Sequence, residues 1–393
     1  MIILQLTDDL PPAVLGGSGR IAFETSLGLS RLGHDVHILT AGACGNFPDI
    51  KDGVHIHTIP PVPRRWAHYR SVFSAQRKRE VMSVIEKVKP DLIHAHGLAW
   101  QLGYLWIKSA SESGIPVIYT AHGVMTAAYG KILEDMPHHW LQDLRRMRWE
   151  YNPFRNFLIK RALSHCKKII CVSDALKNFL ATTGLQNLTT IRNGIDLNFW
   201  KEQISKEEAH TQLGIPNTKT VFLFAGRIGH DKGSTALDAA LPEDALLIVA
   251  GDTRAGAFGR IKNQVRCYEN QSAEQMRILY AACDAAVVPS IYLDPFPTVC
   301  LEAMACSRPV IATCFGGSKE AVVDAETGWI VNPNDCEKLR ETLQWCMAHR
   351  EECEAVGKNA RMHMEKNFSI ERYVREVMGV YEEKNQKIKT KFQ

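Results

Sequence analysis

Short apolar runs alternate with amphipathic ones along most of this chain. In the first half, Ile2–Leu6, Asp35–Thr40, Gly53–Thr58, Leu92–Ala95, Val117–Thr120 and Lys168–Val172 are β-rich and mostly continuous in apolar character, as buried parallel strands are. Between them, Gly19–Leu32, Gln76–Val88 and Ser173–Thr182 show the spacing of helices with one apolar face. The alternation restarts after residue 200. Strands are predicted at Thr220–Ala225, Ala245–Ala250, Val265–Tyr268, Ala285–Pro289 and Val310–Thr313, and helices at Ser272–Ala281, Val299–Ala305 and Glu337–His349. A last helical run covers Ser369–Asn385, and Gln386–Gln393 is expected to fray.

A β–α alternation predicts a parallel, doubly wound sheet, and its restart predicts two. The expected division is 1–197, 198–368 and a C-terminal helix, 369–393, that crosses back to the first domain. A length of 393 residues suits two domains of roughly 200. Two such sheets leave a cleft between the C-terminal ends of their strands, where ligands bind. Dehydrogenases, transferases and periplasmic binding proteins all fit this description, so the fold alone does not decide function.

Composition narrows the class. Hydrophobic content of 45% and charged content of 23% are those of a soluble globular protein. No apolar run approaches the roughly 20 residues that span a bilayer. The N-terminus lacks a basic n-region and reads as a strand, so a cytoplasmic location is expected. The eleven cysteines contain no C-x-x-C pair, which favours reduced core thiols over a disulfide framework or zinc.

The net charge of +4 hides an asymmetry. Residues 1–200 carry 23 Lys/Arg against 16 Asp/Glu, and the remainder 24 against 27. A basic first half suits an anionic partner, such as a membrane surface or a charged acceptor, and equally suits a solvated surface. Arg64, Arg65, Arg70, Arg77, Lys78 and Arg79 cluster there. A helical stripe of Trp140, Leu144, Met147 and Tyr151 lies beside Arg145, Arg146 and Arg148, a pattern shared by membrane-seated helices and core-facing helix edges. The aromatics are not interleaved with the cations, so nucleic acid is not expected.

Three segments carry candidate chemistry. Gly16-Gly17 follows the first strand and precedes a helix, where backbone N–H groups can approach an anion. It is not G-x-G-x-x-G, and the second strand ends without the acidic residue a dinucleotide site needs. Arg227 and Lys232 follow the strand Val221–Ala225, two fixed cations suited to a diphosphate. In Asp294-Pro295-Phe296-Pro297-Thr298, the prolines keep the chain extended before a helix whose free N–H groups again suit phosphate. Glu302 lies one turn into that helix in an apolar setting. It needs a partner there, and two ribose hydroxyls would satisfy it. His94-x-His96 lacks a third ligand nearby and reads as a pair of turn-lining histidines. No D-x-D motif occurs, so no metal is expected.

With these motifs the chain resembles glycosyltransferase family 4, retaining enzymes of the GT-B fold. The resemblance rests on Gly16-Gly17, Arg31–Val36 (RLGHDV), Asp91–His96 (DLIHAH), Thr120–Gly123 (TAHG), Val172-Ser173 and Arg192–Asp196 (RNGID). It continues through Gly226–Gly233 (G-R-x4-K-G), Ala250–Asp252, Asp294-x7-Glu302 and Pro309–Ala312 (PVIA). It implies two Rossmann-like domains facing across a cleft, the first binding acceptor and the second nucleotide-sugar. It also implies transfer from a UDP-, GDP- or ADP-sugar to an acceptor hydroxyl of a glycan, glycolipid or polysaccharide precursor, with no cofactor.

By the same resemblance Arg227 and Lys232 neutralise the donor diphosphate, Glu302 holds the ribose, and Thr298 and Val299 donate amides to phosphate. Asp294 and His122 stand beside the transferred sugar, Gly17 closes on the diphosphate, and the Arg266–Asn270 loop with Tyr268 and Glu269 frames the base. Phe296 and Pro297 belong to the same donor-binding segment. Two departures bear on the sugar: Asp294 stands where glutamate is usual, and Pro297 replaces the common glycine and removes an N–H. No carboxylate nucleophile is evident, which suits front-side attack with the departing phosphate taking the acceptor's proton. A nucleotide-sugar epimerase of the same fold and a non-catalytic nucleotide-sugar-binding protein are the alternatives.

Overall fold

The computed structural model describes residues 1–11, 17–41, 50–63, 67–99, 101–126, 152–251 and 258–383. The first sheet contains β1 (Ile2–Thr7), β2 (Asp35–Ala41), β3 (Ile50–Lys51), β4 (Val54–Ile59), β5 (Leu92–His96), β6 (Val117–Ala121), β7 (Lys168–Cys171) and β8 (Leu188–Thr190). Their order is β3-β4-β2-β1-β5-β6-β7-β8, with every pairing parallel except β3 against β4. The second sheet contains β9 (Thr220–Ala225), β10 (Ala245–Ala250), β11 (Val265–Tyr268), β12 (Ala285–Val288), β13 (Val310–Thr313) and β14 (Gly328–Val331). It is parallel throughout, in the order β11-β10-β9-β12-β13-β14. Central strands are buried on both faces, which explains their unbroken apolar runs: Ile3, Leu4, Leu6, Leu223, Leu247 and Ile248 have no exposed surface.

Six helices position the cleft: α1 (Gly17–Arg31), α2 (Asp174–Thr182), α3 (Ala273–Ala282), α4 (Thr298–Ala305), α5 (Arg350–Asn367) and α6 (Ile370–Glu382). Ser173 caps α2 by accepting from Leu176 N–H, and Ser272 with Gln275 forms a reciprocal capping box on α3. The sequence pattern did not predict α5. Its buried positions are Cys353, Gly357, Ala360 and Met364, a stripe mostly of small residues at helical spacing that an apolar count underweights. A Cβ on Gly357 would lie 2.2 Å from Ser307 O, so the close approach requires glycine.

The last helix, α6, lies against the first sheet's unit, although the preceding helix packs on the second. Ile370, Tyr373, Val374, Val377, Val380 and Tyr381 are its buried positions. Gly28 of α1 meets Val374 so closely that an added Cβ would stand 2.6 Å from Val374 Cγ2. Backbone bonds from Ile195 N to Phe368 O (3.0 Å) and from Ile370 N to Ile195 O (2.9 Å) lock the crossover.

A second latch joins the units beside the cleft. Glu320 accepts from the Asp174 and Ala175 amides at the start of α2 (2.9 and 2.8 Å), and Arg192 bridges Glu320 and Asp174. A helix N-terminus carries partial positive charge, so the carboxylate acts as a cap supplied from the other unit. No helix among the described residues is long and apolar enough to cross a membrane. The ten cysteines among them are free.

Candidate active site

On the second unit, β9, β10 and β11 end in step. Gly226 N–H donates to Ala250 O (2.8 Å) and Gly251 N–H to Tyr268 O (3.0 Å). Tyr268 therefore closes the edge strand level with the glycine turns, and Glu269 follows it exposed. Arg227 leaves this edge half-exposed, with Nη2 2.8 Å from Asp231 Oδ2. Lys232 ends a short 3-10 turn, His230–Lys232, pressed onto the end of β12. Gly233 permits that contact: its φ is +80°, and a Cβ there would lie 1.9 Å from Pro289 O.

Lys232 Nζ stands 2.6 Å from Asp294 Oδ2 and 5.0 Å from the centre of the Tyr292 ring. Burial alone would lower its pKa; the charge of Asp294, with Tyr292, outweighs burial, and the net shift is upward. The ammonium is therefore charged across the physiological range, and one of its three N–H groups points at Asp294.

The Asp294 backbone is held from behind by Gly316 and Gly317. Gly317 N–H donates to Asp294 O (2.8 Å), and a Cβ on Gly316 would lie 2.2 Å from that same oxygen. These two glycines escaped the sequence reading because nothing local ties them to Asp294. Pro297 then sets φ at −68° and α4 starts with no side-chain cap, so the amides of Thr298 and Val299 begin the helix toward the cleft. The ring of Phe296 is buried against Phe368 at 5.8 Å, which leaves only its backbone available to a ligand. Glu302 is 7% exposed. It accepts from Tyr280 Oη (3.0 Å), and Arg20 Nη1 of α1 stands 3.7 Å away. Burial raises its pKa, opposed by Arg20 and by hydrogen bonds from Tyr280 and Thr298.

The first unit meets this edge at Gly17, the first residue of α1. A Cβ there would lie 3.1 Å from Thr298 Cγ2, so the starts of α1 and α4, one from each unit, abut. Gly16 lies outside the described residues. Arg20, one turn on, was not singled out from the sequence. It stacks over Trp200 at 5.3 Å while reaching Glu302.

Behind Gly17 lies a buried polar network. His94 and His96 belong to strand β5 itself and are not turn residues, a correction to the sequence reading. His96 Nε2 is 2.8 Å from Gln5 Oε1, and His96 Nδ1 is 3.2 Å from His122 Nε2. Gln5 Nε2 donates to Tyr381 Oη (3.1 Å), which lies 2.7 Å from His94 Nδ1; His94 Nε2 lies 2.6 Å from Thr120 Oγ1. The orientation of Gln5, with Nε2 toward Tyr381 and Oε1 toward His96, sets the direction of this chain at His96 and His122. An amide oxygen accepts only, so His96 is protonated on Nε2 and accepts from His122 Nε2–H. Tyr381 accepts from Gln5 and shares a hydrogen bond with His94 Nδ1, and His94 Nε2 shares one with the Thr120 hydroxyl. His122 is thus a neutral tautomer with Nδ1 left as an acceptor. Burial lowers the pKa of His122 to about 4 and of His94 to about 3, which keeps the chain neutral.

The basic cluster of the first half is partly dismantled by the structure. Arg77 is 4% exposed, paired with Glu80 at 2.8 Å and donating to Pro60 O, so it is a core cation. Arg64, Arg65 and the 140–151 stripe lie outside the described residues, whereas Lys78 and Arg79 remain at the surface.

Two parallel α/β units meeting across paired helix starts, with cations at the strand ends of the second, are the architecture of the GT-B fold. The chain belongs to glycosyltransferase family 4: the model described as Glycosyltransferase Family 4 matches residues 15–199, and that for glycosyl transferases group 1 matches residues 205–363. A glycogen synthase of Mycobacterium tuberculosis is 23% identical, over 97% of this chain and 94% of its own. A sucrose-phosphate synthase from Thermosynechococcus elongatus shares the fold with a TM-score of 0.78 and 21% identity, covering 97% and 98% of the two chains. The Anabaena protein HepE, solved in complex with UDP-glucose, superposes with a TM-score of 0.73 and 19% identity over 97% and 99%.

Proposed function

We propose that this glycosyltransferase transfers a sugar from a nucleoside-diphosphate donor to an acceptor hydroxyl with retention and without a metal. The observation that carries the reading is the meeting of Gly17 with Thr298 beside Lys232. Two helix starts abut there, and Asp294, which fixes the Lys232 ammonium, lies in the segment leading into α4, a set of groups suited to stabilising a diphosphate. Arg227 adds a second cation. Glu302, one turn along α4, holds the ribose hydroxyls, and Tyr268 with Glu269 frames the base at the end of β11. The cations take the role a divalent ion would otherwise fill for the leaving nucleotide.

In the reaction the bond from sugar C1 to the β-phosphate oxygen breaks and its electron pair stays on the phosphate. The acceptor oxygen bonds to C1 on the same face, and its proton passes to the departing phosphate. Asp294 orients sugar hydroxyls while pairing with Lys232. His122 offers Nδ1 as a hydrogen-bond acceptor to the sugar, its other nitrogen being committed to His96.

The acceptor is a glycan or lipid-linked glycan presented at an anionic surface. Phe73, Phe154 and Phe157 are exposed, the first two stacked at 6.2 Å. Beside them runs a groove of about 420 Å³ whose lining includes Lys78, Lys108 and Arg161. Exposed rings flanked by cations match a headgroup interface. Anionic liposomes should retain the protein, and retention should fall when Phe154 and Phe157 become Ser. Equal retention of the variant would contradict this seating.

The donor is tested by thermal shift with UDP-, GDP- and ADP-sugars in EDTA. A donor at 100 times its Kd adds about 2.7 kcal/mol of stability. A shift by one nucleotide class supports the reading, and none with any class overturns it.

A further inference from the structure

A second histidine pair, His55-x-His57 on β4, lies on the same face of the first sheet as Asp35-x-His37 on β2. The strands are parallel, with His37 opposite His55 and Leu39 opposite His57. Side chains two residues apart share a face, so this register gathers one carboxylate and three imidazoles. His37 Nε2 is 3.2 Å and His55 Nε2 3.8 Å from Asp35 Oδ1, and the three ligating atoms lie within 4.8 Å of one another. Nitrogen and oxygen atoms bonded to one tetrahedral zinc at about 2.0–2.2 Å stand about 3.3–3.6 Å apart. The cluster is already close to that spacing.

We propose that Asp35, His37 and His55 bind a divalent transition-metal ion of the zinc class, with a water completing the shell. Nitrogen and carboxylate donors select such ions over calcium or magnesium. His57 supports the site from behind: its Nε2 is 2.9 Å from His37 Nδ1, so His37 donates there and turns Nε2 toward the ion. His37 stacks on His55 at 4.6 Å and lies nearly coplanar with the His57 ring that it hydrogen-bonds, which holds the ligands in place beforehand. His55 and Asp35 are 43% and 52% exposed on their side chains, leaving the ion an entry path and an open position. The buried pair His94 and His96 differs in kind, because its ring nitrogens are already committed within the protein.

Asp35 opens β2, at the strand end opposite the cleft. The ion therefore ties β2 to β4 and takes no part in transfer. It stabilises the folded chain because the ligands converge only there. The full-length protein, freed of metal with a chelator, is titrated with Zn²⁺ by calorimetry and with Co²⁺ by visible absorption. One ion per chain should bind, with the intense visible bands of four-coordinate cobalt and a higher Tm. His55→Ala and Asp35→Asn should each weaken binding at least tenfold, and His57→Gln should weaken it about tenfold through loss of orientation. Donor-induced thermal shift should be the same in all three variants. Binding that persists unchanged in His55→Ala, or wild-type protein that binds no ion, overturns the proposal.

Discussion

The two sides of the cleft solve opposite electrostatic problems. The second unit presents charge: Lys232 stands against Asp294, Arg227 is half-exposed, and Glu302 is buried with Arg20 at hand. Apart from Arg20, the first unit presents neutrality, with histidines whose pKa values burial has driven well down, joined in a hydrogen-bond chain. A diphosphate needs cations and helix starts. A sugar near its reaction centre is better served by neutral donors and acceptors that do not compete for its charge. On the proposed reading, leaving-group stabilisation falls mostly to the second unit, while sugar orientation is shared between His122 of the first and Asp294 of the second.

Removing charge from the second side should have the largest effect. Lys232→Ala is expected to lower kcat/KM about 10²–10³-fold, the loss typical of one transition-state electrostatic donor, and to lower Tm as well, because Asp294 is left buried without its cation. Steady-state kinetics with the donor found by thermal shift checks it. Full turnover by the variant would remove the diphosphate assignment.

Glu302→Gln comes next. It removes charge-assisted hydrogen bonds to ribose worth about 1.5–3 kcal/mol, so KM for donor should rise about 10–100-fold with kcat less affected. A change confined to kcat would move Glu302 from ribose binding to the chemical step.

The neutral side should respond more gently and mainly through stability. Tyr381→Phe leaves Gln5 Nε2 and His94 Nδ1 without a partner and should cost about 1–3 kcal/mol. The proton on His122 Nε2 should shift toward a mixed tautomer, visible in its ¹⁵N NMR shifts. An unchanged tautomer in Tyr381→Phe would break the chain argued from Gln5.

The pH dependence of stability separates two kinds of buried group within the first unit. His94 and His122 have pKa values of about 3 and about 4 when folded and near 6.5 when unfolded, so the unfolded state binds more protons between those limits. Their contribution to stability is complete above pH 6.5 and is lost as pH falls toward 4. Glu24, one turn beyond Arg20 on α1, behaves oppositely. Burial raises its pKa to about 8, with Arg20 opposing, and its Oε2 is buried without a hydrogen-bond partner. The folded state binds the extra proton, so stability falls as pH rises from about 4.5 to 8. Denaturant titrations from pH 5 to 8.5 should show Glu24→Gln losing this decline while keeping the acid limb.

The second side of the cleft was largely legible in the sequence. Arg227, Lys232, Asp294 and Glu302 lie on two short segments whose strand–turn–helix pattern could be read locally. The first side was not. Gln5 and Tyr381 meet across 376 residues, and Arg20 meets Glu302 only because the units face each other. The same holds for Asp35, His37 and His55, which required the pairing of β2 with β4. Arg77 shows the reverse error: its neighbours made it look like part of a surface patch, yet its stem follows the apolar face of a helix into the core.

The account's central claim is retention driven by phosphate clamps without a metal. It is tested most directly by following slow hydrolysis of an α-linked nucleotide sugar in EDTA by ¹H NMR, with water as the acceptor. The account predicts that the free sugar appears first as its α anomer, at a rate that Lys232→Ala abolishes. First appearance of the β anomer, or hydrolysis that requires added Mg²⁺, would contradict it.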